Sequence, residues 1–543
     1  MKIDKLDAAI ARDPRLPRYL CHLYQRLRMN RLNLVTGAGI SVDAKVPAWK
    51  ELLRRLAEIE DKLPGELKIH EDAGLQPEYL GQIIYHRFNR VCSIADVDTA
   101  PDLRSAQIEY GWGDTIHKAI YRDVAPEIND VVSAHPYLAK LRDLARRVPL
   151  IVNFNFDDLL AHAIGEQIKE GTPGSEGGNA LSVTWQPPLT DRPALTTVYH
   201  VNGILPRVDL KKRSPQLIFT EDSFADARAR SPGVNAEYLF LRFVQNTMLL
   251  IGHSLADSSL KNYLRQNRDK SPANHHYMIH WIGSDSDYPK HRCSDIFEAN
   301  LELYNLITIF LTSDEIREFL QLLILDKRRF TDIIEGIEPD RRATYHYYIV
   351  GPVAAGKSTL LEHLRCFETL EEWTRPPPKE MYFASTKIGE SEQRIIDEFL
   401  NQELKEKNRR MHAAGVGYHF MDRAPLDLYA FTPTVEEVKR KSRELRELVT
   451  RNKPLQEGQI IFIEAEPKTL VKRNMARGRP PEKAGEDDYL RDQIRKLKET
   501  YHPTFILSTD EYNSNEAARK VARHVLLGDY TPTDLQSIIA RYE

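Results

Sequence analysis

Leu32-Asn-Leu-Val-Thr-Gly-Ala-Gly-Ile-Ser41 is the stretch on which the reading of this chain turns. Its first half is a short apolar run and its second a glycine turn, with the amphipathic segment Trp49 to Ile59 beyond. Further along, Tyr345-His-Tyr-Tyr-Ile-Val-Gly-Pro-Val-Ala-Ala-Gly-Lys-Ser358 follows the same grammar. Apolar run, glycine loop and helix together make the repeating unit of α/β proteins with parallel sheets. Working outward, apolar runs recur at Leu150 to Phe154, Thr197 to Val201, Leu217 to Thr220, Met248 to Gly252, Tyr277 to Ile282 and Leu306 to Leu311. Helical patterns fit between them, among them Ala236 to Gln245 and Ser313 to Leu325. Beyond the second glycine loop, strands are expected at Tyr418 to Met421, Ile460 to Glu464 and Phe505 to Leu507. An α/β fold in two successive parallel-sheet domains is the expectation.

The chain has 543 residues, too many for one ordinary core. Residues 326–342 are charged with few apolar positions in register, so 327–342 reads as a linker between domains over 1–326 and 343–543. Lys and Arg total 76 against 79 Asp and Glu, a net charge of −3, which gives no strong nucleic-acid signal. The Lys-, Arg- and Glu-rich helical stretches carry mixed signs and read as solvated faces. No run approaches the length of a membrane span, and the opening residues lack a secretory apolar region, so a cytoplasmic protein without a membrane partner is expected. Cys21, Cys92, Cys293 and Cys366 lie far apart with no CxxC pair, which argues against a four-cysteine zinc site. Gly171 to Asn179 and Arg477 to Glu486 read as mobile loops.

Gly37, Ala38, Gly39 and Ser41 sit where a backbone could approach a pyrophosphate, with amides of a following helix facing anionic oxygens. The full GxGxxG spacing of dehydrogenases is absent. Four motifs in order nevertheless resemble the sirtuins. The glycine loop is followed by Pro47 and Trp49, matching a proline loop with an aromatic over nicotinamide. Asn153-Phe-Asn-Phe-Asp-Asp-Leu-Leu160 resembles the sirtuin T-x-N-x-D-x-L strand end at Asn155, Asp157 and Leu159. Val198-Tyr-His-Val-Asn-Gly-Ile-Leu-Pro206 resembles the strand bearing the sirtuin histidine, and Gly252-His-Ser254-Leu255 resembles the G-x-S segment that contacts the cofactor ribose.

The resemblance implies a Rossmann-like sirtuin-type domain that uses NAD+. Asn155 would position a water near the ribose carbon, Asp157 would fix the ribose or the loop, and a neutral histidine would accept a proton. The alternative for Asn155 and Asp157 is a strand-end turn held by Asx hydrogen bonds, which the neighbouring motifs disfavour. Three departures stand out. The family's four-cysteine zinc module is missing, Ala48 and Lys50 replace the usual Asp and Arg, and Asn202 stands immediately before Gly203 where the family places its histidine. Either His200, two residues earlier on the same strand face, takes over that role, or Asn202 substitutes without acting as a base; His200 is the favoured candidate. The pattern resembles zinc-free bacterial sirtuin-like domains that hydrolyse NAD+ in antiphage defence, which implies homo-oligomers and a phage-derived trigger.

Gly351-Pro-Val-Ala-Ala-Gly356-Lys357-Ser358 is a complete Walker A sequence in the strand-to-helix context it requires. Backbone amides would cradle phosphates, Lys357 would reach the β and γ oxygens, and Ser358, followed by Thr359, would ligate Mg2+ with ATP or another nucleotide. Asp422-Arg423-Ala-Pro425 resembles the acidic-Arg-Ser motif of deoxynucleoside kinases, and Arg473, Arg477 and Arg479 look like their arginine lid. Glu372 is the candidate acceptor of a substrate hydroxyl proton, with Glu371 nearly as good. Three functions follow: an NAD+ hydrolase governed by a nucleoside- or nucleotide-binding kinase-like domain; a nucleoside kinase regulated by NAD or ADP-ribose; or a binding module using neither site for chemistry.

Overall fold

The structure is a computed structural model that describes residues 6–59, 74–95, 100–125, 127–169, 180–188, 195–208, 213–215, 217–230, 234–283, 290–337, 341–382, 389–432, 434–450, 453–476 and 487–542. The chain forms two compact units. The first takes Met1–Pro14, Arg26–Asn267 and His276–Asp326; the second takes Arg15–Gln25, Arg268–His275 and Lys327–Glu543.

The first unit is built on seven strands: β1 (Leu32–Thr36), β2 (Leu150–Asn153), β3 (Ala180–Thr184), β4 (Leu195–His200), β5 (Thr247–Ile251), β6 (His276–Trp281) and β7 (Leu306–Leu311). They run parallel in the order β3-β4-β2-β1-β5-β6-β7. Both faces are covered by helices, so the central strands are largely apolar, with Asn33, Thr36, Asn153 and Thr247 the polar exceptions, and β1, β2 and β5 are buried at every position. Val35, Val152, Tyr199, Leu250 and Met278 form one side's core. Leu53, Leu56, Ile84, Ile116, Phe156 and Phe219 form another. The chain leaves β1 for β2 on one side and returns to β5 on the other. This is a topological switch point, where an open α/β sheet leaves a crevice at its carboxyl ends.

Three details depart from the sequence reading. Leu217 to Thr220 is not a strand: Ile218 donates its N–H to the Asn202 carbonyl, and the amides of Phe219 and Thr220 bond Ser223 Oγ. Its apolar content goes into burying Phe219, and its polar backbone into capping the next helix. Edge strand β3 was not anticipated, because a half-exposed strand lacks a continuous apolar run. The glycine loop leads into a single 3-10 turn, Ala38–Ile40, and the α-helix begins only at Trp49. Lys45 at φ +65° and Pro47 break helical continuation between them.

The second unit carries five parallel strands: β8 (Thr344–Val350), β9 (Glu368–Leu370), β10 (Gly417–Asp422), β11 (Gln459–Glu464) and β12 (Phe505–Ser508). Their order is β12-β11-β8-β10-β9. The Walker A loop follows the central strand β8 and opens the helix Lys357–His363. Both sheets are therefore parallel throughout, the first Rossmann-like and the second with a P-loop after its central strand. Residues 327–335, inside the stretch read as linker, form a helix with Phe330 and Ile334 buried.

Residues near the chain start complete this second unit. Gln25 Nε2 donates to the Tyr418 carbonyl and Gln25 Oε1 accepts from the Tyr418 amide, each at 3.0 Å. β9 pairs with β10 only from His419 onward, so the Gln25 carboxamide takes the place of a strand neighbour at Tyr418. Gly417, at φ +117°, admits that approach, since a Cβ there would meet Gln25 Oε1 at 2.5 Å. None of the described helices is long and apolar enough to cross a membrane.

Candidate functional site

At the carboxyl end of the first sheet, the glycine loop lies directly against the turn after β5. Gly37 N–H donates to Ile251 O at 3.1 Å, and Gly39 N–H donates to Gly252 O at 2.9 Å. A Cβ on Gly39 would stand 2.8 Å from Gly252 Cα, and Gly252 itself holds φ +68°. Only glycines allow this backbone contact. Ala38 and Gly39 remain exposed above it, as does Ser254, while Leu255 is half-buried. Pro47 is buried, and the half-buried Trp49 packs on Phe219 at 4.9 Å and on Phe156 at 6.2 Å between ring centres.

Below the loop lies a buried polar cluster. Asn155 Nδ2 donates to Gly37 O at 3.0 Å and lies 3.4 Å from Ser41 Oγ. Ser41 Oγ in turn donates to Asp157 Oδ1 at 3.1 Å, which also accepts the Leu159 amide at 3.2 Å. Burial pushes the Asp157 carboxyl up to about 6, against the lowering effect of those two donors. His200, at the end of β4, is fully enclosed; its Nδ1 lies 3.0 Å from the Asn155 carbonyl, and its Nε2 has no hydrogen-bond partner among the described residues. Burial pushes this imidazole down to about 4, so it is neutral at physiological pH. Asn202 Nδ2 donates to Phe154 O at 3.1 Å. The tertiary structure thus brings together Asn155, Asp157, Ser41, His200 and Asn202 from three separate sequence motifs.

Two residues joined the cluster without being singled out from sequence. Asn153 Oδ1 accepts from Thr36 Oγ1 at 3.0 Å and from the Asn155 amide at 3.1 Å. The Asn-x-Asn spacing, which suits an Asx turn, is the signal that could have found it. His253 accepts the Leu255 amide at Nδ1, meets Phe154 edge-on at 5.1 Å, and is pushed down to about 4 by burial. Nothing in its local sequence distinguished it.

The second site is charged where the first is nearly neutral. Gly356 adopts the left-handed region at φ +99°, turning the Walker A loop into its helix. Lys357 is buried, its Nζ donating to Gly351 O and Pro352 O at 2.9 Å, and burial pushes it down to about 8. Ser358 and Thr359 are exposed at the helix start, with Ser358 Oγ 3.3 Å from Asp422 Oδ2. Asp422 Oδ1 is buried without a hydrogen-bond partner, and burial raises this carboxyl. An unpaired carboxylate oxygen beside the Walker A hydroxyl fits a hard cation held with a nucleotide phosphate.

Arg423, at φ +66°, turns its guanidinium Nε to Glu372 Oε1 at 2.6 Å. Glu371 is instead exposed, 3.7 Å from Arg365. Arg473 donates to Thr509 Oγ1 at 2.8 Å and to Thr509 O at 3.1 Å, beside the Ala355 carbonyl that Thr509 also reaches. Arg477, Arg479 and the 477–486 loop lie outside the described residues, as does the 171–179 loop. Lys407 was not legible in its charge-rich helix: it is buried, pushed down to about 8 by burial, and its Nζ donates to Asp422 O at 3.0 Å. Among the described residues no three His, Cys, Asp or Glu side chains gather to hold a metal ion.

Residues 149–306 are similar to the SIR2-like domain family. That match spans β2 to the start of β7 and includes Asn155, Asp157, His200, Asn202 and Gly252, though not the glycine loop at Gly37. A solved structure of deoxyadenosine kinase from M. mycoides with bound dATP resembles part of the chain at 16% identity and a TM-score of 0.26. It covers 33% of this chain and 98% of its own. No curated protein matches the sequence.

Proposed function

We propose that the first unit hydrolyses NAD+ to nicotinamide and ADP-ribose, and that a nucleoside or nucleotide bound by the second unit controls it. The observation that carries this reading is the Asn155 carboxamide, pinned to the Gly37 carbonyl at the foot of the glycine loop, at the switch point of a SIR2-like sheet. In the reaction the C1′–N bond breaks with its electron pair leaving on nicotinamide, water oxygen bonds to C1′, and the water's proton passes to solvent. Positive charge develops on the ribose. A fixed carboxamide that orients water, and a carboxyl at Asp157, are suited to stabilise it without reorganising.

The second unit supplies a phosphate-binding loop whose lysine rests on its own loop carbonyls. A nucleotide would draw Lys357 onto phosphate oxygens, with Ser358 and Asp422 holding Mg2+; the ion supplies charge neutralisation when bound. Glu372 would accept a substrate hydroxyl proton and Arg423 would hold Glu372 in place. Because constant NAD+ loss harms a cell, binding here must favour an active state by differential affinity. The role that follows is a cytoplasmic, oligomeric antiphage effector.

A second reading has its own support. Asn202 stands at the family's histidine position and His200 is enclosed, which suits a unit that binds NAD or ADP-ribose to regulate a nucleoside kinase. The deciding experiment incubates the full chain with NAD+, with and without Mg·ATP and a panel of deoxynucleosides. Nicotinamide and ADP-ribose, absent with Asn155→Ala, support the hydrolase. Intact NAD+ beside a phosphorylated nucleoside, lost in Lys357→Ala, overturns it in favour of the kinase.

A further inference from the structure

Asn155 stands just beyond β2, where sheet pairing no longer fixes the chain, yet its peptide groups on both sides are held by buried side chains. Asn153 ends β2 and is 2% exposed. Its Oδ1 takes the Asn155 N–H at 3.1 Å in an Asx turn and is itself oriented by Thr36 Oγ1–H at 3.0 Å from the neighbouring β1. The Asn155 amide can only donate, which fixes Oδ1 as the oxygen and Nδ2 as the amide nitrogen, and the Thr36 hydroxyl then donates to that oxygen. On the other side, His200 Nδ1 lies 3.0 Å from the Asn155 carbonyl. A carbonyl only accepts, so Nδ1 carries the proton and Nε2 is left as a bare lone pair. The 3.5 Å approach of Asn153 Nδ2 to His200 Nδ1 then sets two donors side by side and is no hydrogen bond. His200 has no accessible surface, and its Nε2 meets no partner among the described residues. A base must reach the proton it removes; this imidazole faces protein on every side.

We propose that Asn153 and His200 are a pair of positioning residues that lock the Asn155 backbone from its two ends, and that His200 supplies a hydrogen-bond donor at Nδ1 and not a proton acceptor at Nε2. The inference rests on the NAD+-hydrolase reading. Asn153 takes the amide, His200 takes the carbonyl, and the Asn155 side chain is left one orientation, with Nδ2 on Gly37 O. Small misplacement of such a group is costly to turnover and nearly neutral to substrate binding, because the orientation matters most at the reacting carbon.

The test uses side chains that separate the two nitrogens. His200→Asn keeps an N–H donor at the Nδ1 place and deletes Nε2, whereas His200→Leu deletes both. Asn153→Thr retains a hydroxyl able to form the equivalent turn, and Asn153→Val has the same shape without it. In the full chain, kcat and KM for nicotinamide release are measured for all four beside Asn155→Ala. Expected are losses of about 10- to 100-fold in kcat for Asn153→Val and His200→Leu with KM little changed, and recovery of most of that loss in Asn153→Thr and His200→Asn. His200→Asn as impaired as His200→Leu would show that Nε2 is needed and overturn the proposal. If His200→Leu does not fold, the Asn153 pair decides, Thr and Val being equal in bulk. Crystal structures of the Asn153 variants supply a readout that needs no turnover. If the wild-type chain releases no nicotinamide, the hydrolase reading falls, and the pair is judged there. Asn155 leaving the Gly37 carbonyl in Asn153→Val but not in Asn153→Thr supports the lock; Asn155 unmoved in both refutes it.

Discussion

The two glycine loops make an instructive pair. Each follows the central strand of a parallel sheet, β1 in one unit and β8 in the other, at the point where strand order reverses. The loop after β8 turns through a left-handed Gly356 straight into an α-helix, with a lysine buried beneath it. The loop after β1 makes only a 3-10 turn and is pressed against Gly252, with carboxamides beneath it. Under the proposed function the difference follows the charge each loop would meet. Beneath Lys357 stand Asp422, Arg423, Glu372 and Lys407, groups that match a polyanion with its cation. Beneath Gly37 stand Asn155, Asn153, a neutral His200 and one enclosed carboxyl, a preorganised and nearly uncharged surface suited to a developing cation. The same sheet geometry therefore presents two different electrostatic environments.

Crossed substitutions break this comparison most directly. Asn155→Ala should lower NAD+ turnover by about 100-fold or more while leaving Mg·ATP affinity unchanged. Lys357→Ala should lower nucleotide affinity, read by calorimetry, and with it the NAD+ turnover that the bound nucleotide controls. Loss of Mg·ATP affinity in Asn155→Ala would mean that the two loops do not serve separate ligands.

Next in size is a stability effect confined to the second unit. Gln25→Ala removes both partners of the Tyr418 backbone and should cost about 2–5 kcal/mol in denaturant unfolding of the full chain, since buried peptide groups would be left unpaired. Gln25→Glu retains the acceptor but sets a carboxylate oxygen against the buried Tyr418 carbonyl, so a cost at least as large is expected.

A smaller effect separates the two clusters by pH. In the folded state Asp157 is held at about 6, above the ordinary carboxylate range, so the folded chain binds the extra proton between about pH 4 and 6. Stability contributed at this site is present below that window and is lost as pH rises through it. Asp157→Asn should gain on the wild type progressively from pH 4 to 6, reaching about 3 kcal/mol, in unfolding measured at each pH. His200 slopes the opposite way in both proteins and drops out of the difference. A gap that does not change with pH would show Asp157 to be ionised throughout.

The smallest effect is expected at Glu371, the exposed member of the acidic pair of the second unit. Glu371→Gln should leave any phosphoryl transfer within about twofold of wild type, because surface pairs of this kind contribute little. Glu372→Gln should lower it by about 100-fold, since it removes both the proton acceptor and the partner of Arg423. Equal effects at the two positions would remove the distinction that geometry draws between them.

How much of this was legible beforehand differs between the units as well. The Walker A loop, the helix after it and the strands β8, β10, β11 and β12 follow from local pattern, because apolar runs and a glycine loop are local properties. The same holds for β1 and β7 and for the helix from Trp49, whose amphipathic period is complete within its own length. Edge strands β3 and β9 escaped, since short, half-exposed strands have neither a continuous apolar run nor a clear alternation. Leu217 to Thr220 misled for the converse reason: an apolar run can serve to bury one phenylalanine. Gln25 could not have been read at all, because its partner lies in another part of the chain.

By itself, then, the sequence determined the α/β class, the two glycine loops after apolar strands and the residue types around them, all consequences of backbone and periodicity. Tertiary structure alone decided which of Glu371 and Glu372 meets Arg423, that Lys407 reaches Asp422, and that His200 is enclosed with Nδ1 on the Asn155 carbonyl. These are matters of burial and direction between segments distant in the chain. Strand alternation could place His200 and Asn202 on one face of β4's end, but only the packing of β2 and the turn beyond it against that end determines which atoms can meet water or a ligand.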